Sequence, residues 1–164
     1  MKKIVLIGFA ACYKSTVGRL LADRLSCAFV DTDAEIERAC NKTVQQIFET
    51  HGEAFFREEE SKLLRTLTQD NAVVACGGGV VLSQGFSLFA QGSIVICLTA
   101  SAETVHSRLG GVARPLFDGL TVRQLDSYIQ SRAPLYAKYA DVTIPTDRKT
   151  PEQLAQQIYN WLNR

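Results

Sequence analysis

The feature that most restricts the fold of this chain is a series of short apolar runs, at residues 4–9, 28–30, 72–75, 93–98 and 142–144, separated by longer stretches with helical spacing. None of the runs alternates strictly between apolar and polar residues, so each reads as a strand covered on both faces. The spacing predicts helix over 14–25, where Val17, Leu20, Leu21 and Leu25 share one side, and over 53–67, 121–130 and 151–162, with Thr150 as N-cap before Pro151. Strands alternating with helices build a parallel sheet through right-handed crossovers, an α/β three-layer sandwich. Ligands of such folds bind beyond the carboxyl ends of the strands. The chemistry is therefore expected just after the apolar runs.

The first run is followed by Gly8-Phe9-Ala10-Ala11-Cys12-Tyr13-Lys14-Ser15-Thr16, which opens a helix. A phosphate-binding loop has the pattern G-x-x-x-x-G-K-[ST]: backbone N–H groups cradle phosphates at the helix N-terminus, the lysine neutralises the outer phosphates and the hydroxyl meets Mg²⁺. Gly8, Lys14 and Ser15 stand at the required offsets, and Tyr13 stands where the second glycine belongs. Glycine serves there because the backbone approaches phosphate closely and takes up a conformation costly for other residues. A Cβ at that point is expected to crowd the β-phosphate, and the phenol ring must be housed elsewhere.

The second run ends in Asp31-Thr32-Asp33. If the strand continues, residues two apart project to the same side and both carboxylates face one pocket. They would suit Mg²⁺ and a hydroxyl nucleophile that needs its proton oriented or accepted. The competing reading makes one of them the N-cap of a helix starting at Ala34. The third run ends in Cys76-Gly77-Gly78-Gly79, an entropically costly run that makes sense where bare backbone approaches another segment or a ligand. Arg57 and Arg132 are candidates for gripping an anionic substrate through bidentate contacts. Residues 110–119 read as a flexible excursion carrying Arg114, which would bring positive charge onto a transferring group.

Composition excludes several function classes. Eighteen Lys+Arg against 17 Asp+Glu give a net charge of +1, which offers no basic field for nucleic acid. No apolar run approaches the ~20 residues of a membrane helix, and the apolar start before Lys14 is too short for a signal peptide. A cytoplasmic protein is expected, and 164 residues suit one domain. Cys12, Cys27, Cys40, Cys76 and Cys97 form no C-x-x-C pair, so neither a disulfide framework nor a zinc site is expected. Cys12 would be open to alkylation if its loop were open.

In order and spacing, the stretches 8–16, 31–33, 56–57, 77–79, Arg114-Pro115-Leu116 and Arg132-Ala133-Pro134-Leu135-Tyr136 resemble the shikimate kinase family, along almost the whole chain. The resemblance implies a five-stranded parallel sheet flanked by helices, of the P-loop, nucleoside-monophosphate-kinase-like type. It implies a substrate-binding region at about 32–60 and a lid at about 109–120. The implied reaction moves the γ-phosphate of ATP to the 3-hydroxyl of shikimate in aromatic amino-acid synthesis, by a monomer with ATP, shikimate and Mg²⁺ as its small-molecule partners. Lys14 would hold the phosphates, with Gly8, Ala11, Cys12, Tyr13, Ser15 and Thr16 around them. Ser15, with Asp31 through water, would hold Mg²⁺. Asp33 would bind substrate hydroxyls and act as base. Arg57 and Arg132 would grip the carboxylate, Gly78 and Gly79 would donate N–H groups, and Glu60 would steady Arg57. Arg114 would close on the phosphates, and Arg108 with the Asp147-Arg148 turn would line the adenine pocket. The family loop usually reads G-x-x-G-x-G-K-[ST], and here Ala11 and Tyr13 replace both inner glycines. The acceptor-side residues are intact, so shikimate is expected to bind and nucleotide binding to be the impaired half. Two other readings stay open: a kinase-like protein that binds but barely catalyses, and a kinase for another small hydroxy-acid such as gluconate.

Overall fold

The computed structural model describes residues 1–110 and 117–164; the segment 111–116, and with it Arg114, lies outside the described residues. Strands β1 (Ile4–Ile7), β2 (Ala28–Asp31), β3 (Ala72–Ala75), β4 (Ile94–Thr99) and β5 (Val142–Pro145) form one parallel sheet in the order β2-β3-β1-β4-β5. Ile4 pairs with Val73 on one side and Ile94 on the other. Every residue of β1 is fully buried, which is why that run shows no alternation. Because β1 and β3 are neighbours, the loop after β1 and the glycines after β3 emerge side by side.

Helices α1 (Lys14–Leu25), α2 (Thr32–Cys40), α3 (Val44–Thr66), α4 (Phe86–Ala90), α5 (Ala102–Leu109), α6 (Val122–Tyr139) and α7 (Pro151–Leu162) connect and cover the strands. Val17, Gly18, Leu21 and Ala22 put one stripe of α1 into the core. The helix stops at Ser26, whose left-handed backbone lets Ser26 N–H and Cys27 N–H bond back to Asp23 O and Ala22 O. At α7, Thr150 and Gln153 cap each other reciprocally around Pro151, while Leu154, Ala155 and Ile158 are buried.

Three elements differ from the sequence expectation. The strand does not continue through Asp33: Asp31 ends β2 and caps α2, its Oδ1 accepting from Ala34 N–H at 3.2 Å. Strand periodicity is therefore not what relates the two aspartates. Helix α3 begins at a Thr43–Gln46 capping box well before residue 53, and Gly52 (φ 83°, ψ 173°) kinks it rather than preceding it. Helix α6 runs through Pro134, a residue that costs a helix interior about 3 kcal/mol. It continues because Leu135, Tyr136 and Tyr139 beyond the proline pack on the core.

Most of the core lies on the two faces of the sheet, and Trp161 packs against it half-buried. A separate small cluster of Ile36, Ile47 and Phe56, flanked by Phe48 and Leu63, holds α2 to α3. That cluster sets the position of Arg57, one residue beyond Phe56.

Candidate active site

The carboxyl ends of β1, β2 and β3 open into two adjoining cavities, of about 600 and 280 Å³. Ala10, Ser15, Asp31, Asp33, Gly77 and Gly78 line both and so form their boundary. The larger cavity is completed by Arg57, Gly79 and Arg132, with Phe48, Phe56 and Phe117 as apolar walls. The smaller is completed by Ala11, Cys12, Tyr13, Lys14, Thr16 and Arg108.

Two features shape the loop of the smaller cavity. Gly8 (φ 140°) leaves β1 so close to β4 that a Cβ would overlap Leu98 O, so only glycine fits there. Ala11 (φ 59°) and Tyr13 (φ 64°, ψ 18°) both adopt the left-handed conformation that glycine adopts freely, at a cost of roughly 1–2 kcal/mol each. The Tyr13 ring lies under the Arg108 guanidinium, 3.8 Å from Cζ to ring centroid. Lys14 is nearly buried and its Nζ donates to Phe9 O at 2.7 Å.

At the boundary the Ser15 hydroxyl donates to Asp31 Oδ2. Asp33 sits in the first turn of α2, so the two aspartates reach the same space from a strand end and a helix start. Gly77 N–H donates to Thr32 Oγ1 at 3.1 Å, which ties the glycine run to that helix start.

The glycine run fits between charged side chains. A Cβ on Gly79 would overlap the Arg57 guanidinium, and one on Gly77 would lie 2.5 Å from Asp33 Oδ1. Gly78 O accepts from Arg132 Nη1 at 3.3 Å and from the Tyr136 hydroxyl. Arg57 and Arg132 therefore converge on the Gly78–Gly79 step. Arg57 is held by Glu60, which is fully buried (Nη1 to Oε2, 2.9 Å), and by Glu53 at the rim (3.3 Å). The Ser83 hydroxyl also donates to Glu60 Oε2. Arg57 Nε and Glu60 Oε1 are buried without a hydrogen-bond partner among the described residues.

Arg108 ties three segments together, with Nη1 on Ala11 O and Thr146 Oγ1 (both 2.9 Å) and Nη2 on Thr146 O at 3.1 Å. The neighbouring Asp147 carboxylate accepts from Thr104 Oγ1 (2.6 Å) and from Ser101 Oγ and N–H (2.8 and 3.1 Å). Partial burial pushes this carboxyl up, but those hydrogen bonds outweigh it and bring the pKa down to about 2. Arg148, in left-handed conformation on the same turn, is exposed and lines neither cavity.

Cys12 does not meet the condition under which it would be open to alkylation. Cys12 is fully buried inside the loop, and burial raises its thiol pKa against the lowering influence of Lys14 and Arg108. Cys76 is buried beside the carboxylates and is raised well above a free thiol, first by burial and then by Glu60. Burial likewise raises the Tyr136 hydroxyl. Ser83, Glu53 and Thr146 carry no motif in the sequence, and Tyr136 closes the 132–136 stretch without a role of its own being read there. Ser83, Tyr136 and Thr146 join the site through tertiary approach, whereas Glu53 reaches Arg57 within α3 from four residues away.

The shikimate kinase family model matches residues 10–163. A shikimate kinase of Moorella thermoacetica is 41% identical over 158 residues, covering 94% of this chain and 91% of the relative. One of Caldicellulosiruptor bescii is 38% identical over 162 residues, covering 96% and 94%. Among solved structures, shikimate kinase from Acinetobacter baumannii in complex with shikimate superposes with a TM-score of 0.94 at 34% identity, covering 99% of this chain and 93% of that one. A sugar kinase from Janibacter, at 16% identity and a TM-score of 0.66, shares the fold alone.

Proposed function

The chain belongs to the shikimate kinase family, and on that footing we propose that it transfers the γ-phosphate of ATP to the 3-hydroxyl of shikimate. The observation that carries this reading is the shared boundary of the two cavities. Ser15, Asp31 and Asp33 line both, with Lys14 and Arg108 on one side and Arg57 and Arg132 on the other. A triphosphate on the loop and an anionic cyclic alcohol between the arginines would meet at those carboxylates.

In this reading Lys14 exchanges Phe9 O for phosphate oxygens, and the N–H groups at the start of α1 face the same anion. Arg57 and Arg132 bind the shikimate carboxylate, and residues 32–60 serve as the substrate-binding region. The Glu60–Arg57 pair fixes the guanidinium in place before substrate arrives, so less side-chain freedom is lost on binding. Phe48, Phe56 and Phe117 cover the ring carbons of the substrate and exclude water. Asp33 orients the 3-hydroxyl and accepts its proton as the new P–O bond forms and the bond from the γ-phosphorus to the bridging oxygen breaks, releasing ADP.

The Ser15–Asp31 pair suits Mg²⁺, because a hydroxyl and a carboxylate already in contact offer two hard oxygen donors on the phosphate side. No cluster of three or more His, Cys, Asp or Glu that could hold a metal occurs among the described residues, which fits an ion that keeps several waters and phosphate oxygens of its own. Bound there, Mg²⁺ would neutralise the charge on the phosphates. Ser15 would hold it directly and Asp31 through water.

A second reading, shikimate binding with little turnover, is favoured by the left-handed Tyr13 in the loop. Coupled turnover with ATP-Mg²⁺, comparing shikimate with gluconate, tests the proposal. Phosphorylation of shikimate alone supports it, and phosphorylation of gluconate in preference overturns it. The same assay on Tyr13→Gly separates the second reading, which requires the glycine form to be faster by several orders of magnitude.

A further inference from the structure

We infer that Tyr13 sets nucleotide affinity by occupying the guanidinium face of Arg108 that a nucleobase would use, so that the base must displace the ring in order to stack. The inference rests on the reading of Arg108 as a nucleotide-side residue.

Four observations carry it. First, Tyr13, Lys14, Thr16 and Arg108 line the same small cavity, with the phosphate loop at its inner end. A nucleotide with its phosphates at Lys14 has to extend its nucleoside past Tyr13 to reach Arg108. Second, the edges of the Arg108 guanidinium are already engaged by Ala11 O, Thr146 O and Thr146 Oγ1. With three of its five N–H groups tied to protein, the surface it offers a base is its planar face, on which bases and aromatic rings stack. Third, the Tyr13 ring, which lines the same cavity as Arg108, covers one face of that plane at 3.8 Å. Fourth, Tyr13 stays in the left-handed backbone region although its side chain makes no cap hydrogen bond to α1. The stack on Arg108 and packing against the core are the contacts that hold the ring in this position.

The ring is thus an internal ligand for the base subsite, and its effect belongs to the base rather than to the phosphates. The two contributions are separable, because pyrophosphate has no base. Isothermal titrations of the full chain with Mg²⁺-ADP, Mg²⁺-pyrophosphate and shikimate test the inference. Tyr13→Ala is expected to bind ADP about 3- to 30-fold more tightly than the wild type, the range of one cation–π contact released. Its pyrophosphate affinity should stay within about 2-fold, well below that range. Tyr13→Phe keeps the ring and is expected to keep the wild-type ADP affinity. Shikimate affinity reports whether each variant retains its fold.

No gain in ADP affinity in Tyr13→Ala, an equal gain in Tyr13→Phe, or an equal gain for pyrophosphate would each overturn the inference. The last result would locate the obstruction at the phosphates instead. Arg108→Ala separates failure of the underlying reading. If it leaves ADP affinity unchanged, Arg108 is not a nucleotide-side residue. If it weakens ADP while Tyr13→Ala does not tighten it, the reading stands and the inference about Tyr13 falls.

Discussion

Arg57→Ala removes the guanidinium that faces the Glu60 carboxylate across 2.9 Å and strands that carboxylate in a fully buried position. Breaking a buried ion pair from one side costs about 3–5 kcal/mol, because the remaining charge has lost both water and its partner. Two features lower the figure here. Arg57 keeps 16% exposure, and the Ser83 hydroxyl still donates to Glu60. The expected loss is about 2–3 kcal/mol, or a fall in Tm of roughly 4–12 °C for a chain of this size. Adding Glu60→Gln removes the stranded charge while keeping an acceptor for Ser83. The double variant is therefore expected to be more stable than Arg57→Ala alone, by about 1 kcal/mol. Shikimate affinity should not recover with it: both variants lack the guanidinium and should bind at least about 30-fold more weakly. Thermal unfolding by circular dichroism and calorimetric titration measure the two effects separately. A double variant no more stable than the single one would refute the argument that Glu60 is a charge needing Arg57.

Gly79→Ala should displace the Arg57 guanidinium, whose overlapping atoms are the far end of a flexible side chain. KM for shikimate should rise about 10-fold or more while Tm moves by only a few degrees; a large Tm loss with unchanged KM would contradict this. Asp147 titrates at about 2 in the folded chain against an ordinary value of 3.8. Its contribution to stability is complete above the higher value and disappears as pH falls through the lower. Asp147→Asn should thus be less stable than wild type at pH 7, with the Tm difference closing near pH 2, and a constant difference across that window would count against the network. Iodoacetamide at neutral pH, read by peptide mass spectrometry, should modify the half-buried Cys27 and Cys40 before the buried Cys12 and Cys76. Early labelling of Cys12 would mean that the loop opens more readily than its packing implies.

Much of the site was legible because the chemistry sits at strand ends. The apolar run through Ile4 and Ile7 announces a doubly covered strand, and Gly8, Lys14 and Ser15 follow it at fixed offsets. Of the two readings the sequence offers for the aspartates, the N-cap is the one the structure adopts, and both carboxylates still line the same boundary. Asp31 ends its strand by capping Ala34 N–H, so Asp33 reaches the cavity from a helix turn. The capping geometry was the stronger local signal, and strand periodicity stops where it begins. Gly52 reads in the sequence as a helix boundary, whereas the structure uses it as a kink and starts α3 at the Thr43 cap. Ser83 and Tyr136 reach Glu60 and Gly78 across 23 and 58 residues of chain. No local pattern encodes such pairs, because they follow from the docking of α6 and of the turn after β3. The direction taken by the Tyr13 ring depends likewise on where α5 brings Arg108.

The proposed reaction requires the donor and acceptor halves to meet at Asp33. It is tested most directly by ³¹P NMR of the product formed from ATP-Mg²⁺ and shikimate, with wild type and Asp33→Asn compared at saturating substrates. A single phosphate ester on the 3-hydroxyl is expected, formed at least about 100-fold more slowly by the variant. Unchanged turnover in Asp33→Asn, or ATP hydrolysis to free phosphate that shikimate does not redirect into an ester, would contradict it.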